Sequence, residues 1–569
     1  MNPLATPSAT VRLSVMAAAL LLGACAQPGP DGPPPRLAEA RGAPLQACSE
    51  LPARLSLPKT VIASAALVPA GTLAVAGKPI AEHCLVVGRM NERVSAVDGQ
   101  AYAIGFQMRL PKDWNGRFFH QGNGGLDGFV ANAVGLVGGG GALSNALMQG
   151  FAVLSSDAGH TPRQLPLFGR DPQARLDYGY AAVGSLTPMA RQLIAAAYGK
   201  APDRSYFGGC SNGGRHAMVA ASRYAADYDG ILAGNPGFNL PLAAVAQLYG
   251  AQQFAAVAKG DDLPSSFTPD ERRLLAERVL SRCDALDGVA DGMVQDTAAC
   301  KQSFDLERDV ATCSGPRVGS CLNAAQKGAL TRIFTGPNDA SGRKLYASFP
   351  FDPGLAAPDW ANWKFVSSIT NRDPVAVAYV FQTPPAAPEA AADPRAIAMG
   401  FDIARDGPKI FASDATYTEP SMQFMTPPNA DDLTPLRRRG AKIVVYHGVA
   451  DGVFSSDDTV AWYGRLQARR GGDASDFARL FLVPGMNHCG NGPSTDQFDL
   501  LTPLVEWVEK GQPPERVTAR ARGVSNPVPN PDVPEGWPAD RTRPLCPYPK
   551  VARYKGSGSS ERAESFECR

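Results

Sequence analysis

The chain has 569 residues, of which 44% are hydrophobic and 19% charged, with 55 basic against 54 acidic side chains and a formal net charge of +1. That size exceeds one simple core, and that balance excludes a disordered chain and gives no electrostatic footprint for nucleic acid or an anionic membrane surface. The expected partner is a small molecule, and the chain is expected to act as a monomer.

From the N-terminus, Arg12 precedes an apolar run over 13–22, and Leu22-Gly23-Ala24-Cys25 closes it with small residues. This is the shape of a bacterial secretory signal, too short to span a bilayer. Cys25 also fits a lipobox, in which it would be lipidated; a plain signal cleaved nearby is the alternative. Residues 1–25 are assigned to the signal, and the Pro- and Gly-rich 26–47 to a tether. Either reading puts the chain outside the cytoplasm, in the periplasm or as an outer-membrane lipoprotein, with membrane contact only through that anchor. Eleven cysteines suit such an oxidising compartment. With Cys25 set aside, their order pairs Cys48 with Cys84, Cys283 with Cys300, Cys313 with Cys321 and Cys546 with Cys568, leaving Cys210 and Cys489, although spacing does not fix connectivity.

Short apolar runs bounded by turn residues, over 151–155, 204–207, 442–446 and 479–483, read as buried parallel strands. Helix-like stretches over 188–198 and 215–224 lie between them. This alternation predicts an α/β fold with a sheet covered on both faces, and Gly209-x-Ser211-x-Gly213 between the 204–207 run and the next helix-like stretch makes it the α/β-hydrolase type. It breaks over 238–435, a region rich in Ala, Pro and aromatic residues with four cysteines, which predicts an inserted lid domain. The catalytic domain then comprises 48–237 and 436–569, its Pro-rich tail from Gly523 wrapped on the surface and pinned by Cys546 and Cys568.

The strongest motif is Gly209-Cys210-Ser211-Asn212-Gly213, placed after a predicted strand and before a predicted helix, the context of a nucleophile elbow. Ser211 is the candidate nucleophile. Six histidines compete for the base. His488, just past the last predicted strand, has the place of the triad histidine. His120 and His160 are assigned to loops that could face the site, His216 to the helix after the elbow, and His447 to a core or supporting role. Asp451, in the loop after 442–446, is the candidate acid that accepts the imidazole N–H. Asp457 and Asp458 read as exposed caps of the next helix. The oxyanion hole needs two backbone N–H groups: Asn212 supplies one, and the Gly-rich loop 122–125 the other, with Gly124 favoured. The run Gly138 to Gly141 is a rival that reads more naturally as a flexible loop. Lastly, Asp284, Asp287 and Asp291, interleaved with glycines, could wrap a hard cation together with the carbonyls of Val289 and Met293. A solvated acidic turn explains the same residues equally well.

Cys210-Ser211 and His488-Cys489, with Asp451 between them, resemble the tannase and feruloyl esterase family, in which a cysteine flanks both the serine and the histidine. The resemblance covers nearly the whole chain after the leader. It is strongest toward a bacterial branch acting on terephthalate monoesters, through Phe118-Phe119, 171–177, 478–489 and 541–549. It implies a Cys210–Cys489 bond, disulfides at the other four pairs, and a structural Ca²⁺ in the lid on Asp284, Asp287, Val289, Asp291 and Met293. It further implies an aromatic clamp on the substrate ring, with Trp363 and Phe381 as candidates. In that branch a lid arginine holds the substrate's free carboxylate. No arginine stands at the matching place here, and Arg372 lies a few residues away. The implied activity is a secreted serine esterase on aromatic esters, releasing terephthalate and ethylene glycol from the monoester, with gallate or ferulate esters as alternative substrates. A non-catalytic, lipid-anchored phenolic-binding protein and a peptidase are the rival functions.

Overall fold

Nine strands form the central sheet of the computed structural model, which describes residues 32–569. The expected signal and Cys25 anchor lie outside the described residues, and Pro34–Arg569 forms one compact unit. The strands are β1 (Thr60–Val68), β2 (His83–Val94), β3 (Ala101–Pro111), β4 (Arg117–Gly122), β5 (Ala152–Ser156), β6 (Arg204–Cys210), β7 (Gly230–Gly234), β8 (Lys442–Gly448) and β9 (Ala478–Val483). Their spatial order is β9-β8-β7-β6-β4-β5-β3-β2-β1. β4 to β9 run parallel, and β1, β2 and β3 join as an antiparallel edge.

Burial explains which strands the sequence announces. All seven residues of β8 are buried, and its middle, Ile443 to Tyr446, is a continuous apolar run, as strands covered on both faces have. β1 at the open edge instead leaves Val61 and Leu67 exposed. Helices α1 (Ala182–Tyr198), α2 (Asn212–Arg223), α3 (Leu240–Ala255), α4 (Ser456–Arg469) and α5 (Leu501–Lys510) follow in chain order. One face of the sheet packs Ile231, Leu154 and Phe106 against Leu193 of α1, Met218 of α2 and Trp462 of α4. The opposite face packs Leu232, Val153 and Val444 against Leu504 and Trp507 of α5. Consecutive residues Ile231 and Leu232 thus serve opposite cores, as the two-residue period of a strand requires.

α1 begins at Ala182 rather than at Pro188. Pro188 lies inside the helix, whose apolar face, Leu186, Met189, Ala190 and Leu193, is buried on the sheet. Residues 35–47, grouped with the tether in the sequence reading, are docked: Ala40 N–H donates to Glu509, Arg41 N–H to Asp203, and Ala43–Pro44 pairs with Asp113–Trp114. The third core fills 238–435, the region expected to be the lid, yet it also takes in Phe168 and Tyr178 from before 238 and Val453 and Phe454 from after 435. The lid therefore shares its apolar interior with the loops around the site. The C-terminal tail is built in as well. Thr542–Leu545 pairs with Val517–Arg520, and buried Arg543 reaches Asp291 of the lid.

Candidate active site

Ser211 sits between the end of β6 and the start of α2 with φ 66° and ψ −126°, a conformation that costs a non-glycine residue strain. The surrounding glycines permit it. A Cβ on Gly209 would stand 2.5 Å from the Gly122 carbonyl oxygen, one on Gly213 2.3 Å from the same atom, and one on Gly214 2.2 Å from the Gly234 oxygen. Ser211 Oγ lies 2.8 Å from His488 Nε2, and His488 Nδ1 lies 2.9 Å from Asp451 Oδ2. Residues 277 and 37 positions apart thus meet in one hydrogen-bonded relay.

Asp451 is completely enclosed. Burial alone would raise its carboxyl, but the charge of His488 and hydrogen bonds from His447 and His488 hold it well below the ordinary carboxylate range. It also accepts from the Val453 and Phe454 N–H groups and from Asn235 Nδ2 at 2.7 Å. Such a carboxylate stays ionised and can hold the imidazole in one tautomer. His447 bridges Thr459 Oγ1, the Phe454 carbonyl and Asp451, the supporting place expected of it.

Five disulfides link the pairs Cys48–Cys84, Cys210–Cys489, Cys283–Cys300, Cys313–Cys321 and Cys546–Cys568. Such a set is the usage of a protein outside the cytoplasm. No helix among the described residues is long and apolar enough to cross a membrane. The Cys210–Cys489 bond joins the residue before Ser211 to the residue after His488.

Gly124 stands beside the nucleophile: a Cβ there would lie 4.0 Å from that of Ser211, and Asn212 opens α2. The run 138–141 is not a loose loop. Gly139 and Gly140 pack so closely on Asp496 and Gly490 that a Cβ on either would collide, which supports the His488 loop from behind. His120 and His160 do not face the site from loops. His120 is on β4, buried and bonded to Tyr228, with its pKa pushed down to about 3 by burial; His160 is buried in a stack on Phe168 at 3.7 Å. Asp457 and Asp458 are not free caps either, since they bind Lys301, Ser348 and Asn239.

On the lid side, Trp363 meets His488 edge-on at 5.0 Å between ring centres. Phe454, which the sequence reading passed over, does so from another side at 5.3 Å. Its signal was faint, one phenylalanine three residues past Asp451. Arg372 stacks on Trp363 at 4.9 Å, but its guanidinium is engaged by buried Asp373, with Nε to Oδ1 at 3.0 Å and Nη2 to Oδ2 at 2.5 Å. Phe381 is almost fully buried in the lid core. Asp359, also unremarked in the sequence, has its carboxyl pushed up to about 6 by burial and the nearby Asp532 and Asp451 charges, against the pull of His488.

In the acidic loop, Asp284 accepts the Asp291 and Gly292 N–H groups, both at 2.9 Å. Asp287 Oδ2 and Asp291 Oδ1 are buried without a hydrogen-bond partner. Among the described residues no three His, Cys, Asp or Glu side chains converge as a metal site of their own. A cation here would rest on the two orphaned carboxylate oxygens and backbone carbonyls, a donor set that suits hard Ca²⁺.

A family model described as tannase and feruloyl esterase matches residues 84–569. The chain is 39% identical over 551 residues to a mono(2-hydroxyethyl) terephthalate hydrolase of Piscinibacter sakaiensis, covering 90% of this chain and 88% of that one. It is 27% identical to a probable feruloyl esterase B-2 of Neosartorya fischeri, over 92% of this chain and 95% of that one. Among solved structures, the feruloyl esterase B of Aspergillus oryzae superposes with a TM-score of 0.69 at 24% identity, covering 91% of this chain and 98% of that one, a likeness of fold.

Proposed function

The chain belongs to the tannase and feruloyl esterase family of carboxylic ester hydrolases, and from that premise we propose that it hydrolyses aromatic esters outside the cytoplasm through an acyl-Ser211 intermediate. The observation that carries this reading is the Ser211–His488–Asp451 relay at 2.8 and 2.9 Å. His488 Nε2 takes the Ser211 proton as Oγ attacks the ester carbonyl, while Asp451 stabilises the imidazolium at Nδ1. The negative oxygen of the tetrahedral intermediate rests on the N–H groups of Gly124 and Asn212. His488 returns the proton to the departing alcohol, then draws one from water, and Ser211 is released with the aromatic acid. Trp363, half-buried beside His488, offers a ring face to the substrate arene.

The leading substrate is the terephthalate monoester, supported by the likeness to the Piscinibacter sakaiensis hydrolase. A specific observation favours a second reading, phenolic esters such as gallates or ferulates. The Arg372 charge is already neutralised by Asp373, and Asp359 stands near His488, so a free carboxylate on the substrate finds little net attraction. A Ca²⁺ in the acidic loop, held by Asp287, Asp291 and the carbonyls of Val289 and Met293, with Asp284 ordering the loop, would take up the two orphaned oxygens and stiffen the lid. It would offset the charge of Asp287, since that of Asp291 is already paired with Arg543. The leader would deliver the chain to the periplasm or, through Cys25, to the outer membrane.

Steady-state kinetics on the terephthalate monoester, methyl gallate and methyl ferulate, with Ser211→Ala as the control, tests the assignment. Ser211→Ala should abolish turnover of all three, and an active Ser211→Ala protein would sink the mechanism. Arg372→Ala should raise KM on the terephthalate monoester alone if Arg372 holds the carboxylate. An equal change on all three esters would show that Arg372 only props Trp363.

A further inference from the structure

Beneath the two proposed oxyanion donors lies a buried polar cluster that the proton relay leaves unused. The donors come from separate parts of the chain, Gly124 from the loop after β4 and Asn212 from the first turn of α2. Asp127 touches both segments. Its own N–H donates to the Gly124 carbonyl at 3.2 Å and closes the 124–127 turn, with Asp127 itself at φ 54°. Its Oδ2 accepts from Asn212 Nδ2 at 2.8 Å and lies 2.9 Å from His216 Nε2. Burial and the adjacent Arg215 charge hold His216 well below its ordinary pKa, so the neutral ring can donate to the carboxylate. Arg215 completes the frame. Its Nε donates to Asn212 Oδ1 at 2.6 Å, and its two Nη groups donate to the Gly179 and Tyr178 carbonyls. Tyr178 in turn donates its hydroxyl to the Gly125 carbonyl at 3.1 Å.

Asp127, His216, Asn212 and Arg215 are each at most 3% exposed. Burying four polar side chains is costly unless each is bonded, and a hydrophobic pair would join the loop to the helix at less expense. What the cluster adds is direction. Both segments are referred to one residue, the Gly124 loop through the Asp127 main chain and Asn212 through its carboxyl group. An oxyanion hole stabilises the transition state only while its donors hold fixed distances to the developing charge.

We propose that Asp127 is a positioning residue of the oxyanion hole, fixing the Gly124 loop against Asn212 through its own backbone and carboxylate. The assignment rests on the acyl-Ser211 reading above. It implies that loss of Asp127 harms the tetrahedral intermediate while sparing the bound ground state.

Burial pushes the Asp127 carboxyl up to about 8, against the pull of Arg215 and Asn212. The test therefore compares Asp127→Asn, which keeps shape, with Asp127→Ala in the full-length protein at pH 9, where the carboxyl is ionised and the amide removes its charge. Four quantities are read: kcat and KM on p-nitrophenyl benzoate; inhibition by phenylboronic acid, whose boron takes up a serine oxygen as a tetrahedral anion; and inhibition by benzoate, a ground-state mimic. Losing one oxyanion donor costs about 100- to 1000-fold in kcat, so a donor left in place but misaligned should cost about 10- to 100-fold. That loss is expected in Asp127→Ala, with phenylboronic acid affinity falling in parallel, KM and benzoate inhibition within about 3-fold of wild type, and Asp127→Asn intermediate. Wild-type kcat and boronate affinity in folded Asp127→Asn overturn the proposal. So does a parallel loss of boronate and benzoate binding in that variant, which would mean a general collapse of the pocket. If Asp127→Ala fails to fold, Asp127→Asn decides alone. Wild-type turnover indifferent to phenylboronic acid, together with an active Ser211→Ala protein, would remove the serine mechanism and this proposal with it. A boronate-inhibited wild type with unaffected variants removes only the role of Asp127.

Discussion

Around Ser211 the backbone itself sets the geometry: glycines at 209, 213 and 214 let β4, β6 and α2 approach to distances no Cβ would allow, and a disulfide fixes the histidine loop to the elbow. Across the site Trp363 opens a π turn over Trp363–Ser367, and Arg372 lies in the bend before a second one over Ala376–Phe381. Gly169 packs tightly on the Tyr379 carbonyl of that second turn, but Trp363 and Arg372 themselves are held by ring contacts and an ion pair. The difference separates two tasks. The reacting groups are held by main chain, whose positions side-chain repacking cannot move, whereas the groups that would meet the substrate ring are held by side-chain packing, which sequence change can retune.

The largest effect should come from the elbow. A methyl group at Gly213 would stand 2.3 Å from the Gly122 oxygen, a backbone atom that can yield only by shifting β4 and the oxyanion loop. Gly213→Ala is expected to cost about 100-fold or more in kcat, the scale of an ångström misplacement, and about 1–3 kcal/mol of stability from overpacking. Kinetics and thermal melting of one preparation measure both. A variant with wild-type kcat would show that the elbow is not backbone-locked.

The disulfides sharpen the contrast. Cys210–Cys489 closes a sequence separation of 279 residues, whereas Cys313–Cys321 in the lid closes 8. Replacing the first pair by serines should remove about 2–4 kcal/mol of stability and lower kcat as His488 loses its tether. The lid pair should cost less, in keeping with its shorter loop, and leave kcat unchanged. Equal losses of kcat would erase the distinction between floor and lid.

This division also governs what the sequence discloses. Runs such as 442–446 and 479–483 announce β8 and β9 because strands buried on both faces have no polar alternation to blur them. Ser211, Asp451 and His488 are legible because each sits at a fixed offset from a strand end. β7, five residues bounded by glycines, and β1 at the exposed edge lack such a signature. The lid is less legible still. Trp363 touches His488, yet Phe381, named with it from the resemblance, lies on a separate helical segment beyond the break at 371–372 and is packed into the core. Arg372 could be named as a charge, but its partner Asp373, adjacent in sequence, decides its chemistry and could not be inferred from spacing alone.

The smallest effect tests the lid's own economy. Lys364, only 4% exposed, directs Nζ to Gln247 Oε1 at 3.1 Å, and Gln247 Nε2 donates to the Gly452 and Val453 carbonyls beside Asp451. Burial pushes the Lys364 pKa down to about 7, against the opposing charges of Asp451 and Asp373. In the unfolded chain the amine titrates near 10.4, so between roughly pH 7 and 10 the unfolded state binds more protons and stability rises with pH. Below about pH 7 both states carry the charge and the burial cost is felt in full. Lys364→Met, similar in length and apolar, should therefore stabilise the protein most at pH 6, with a gain that shrinks through pH 8 and nearly vanishes by pH 10. Urea unfolding at those three values measures it. A loss of stability that is the same at every pH would instead show that the bond to Gln247, and through it the lid's grip on the Asp451 loop, outweighs the cost of the buried charge.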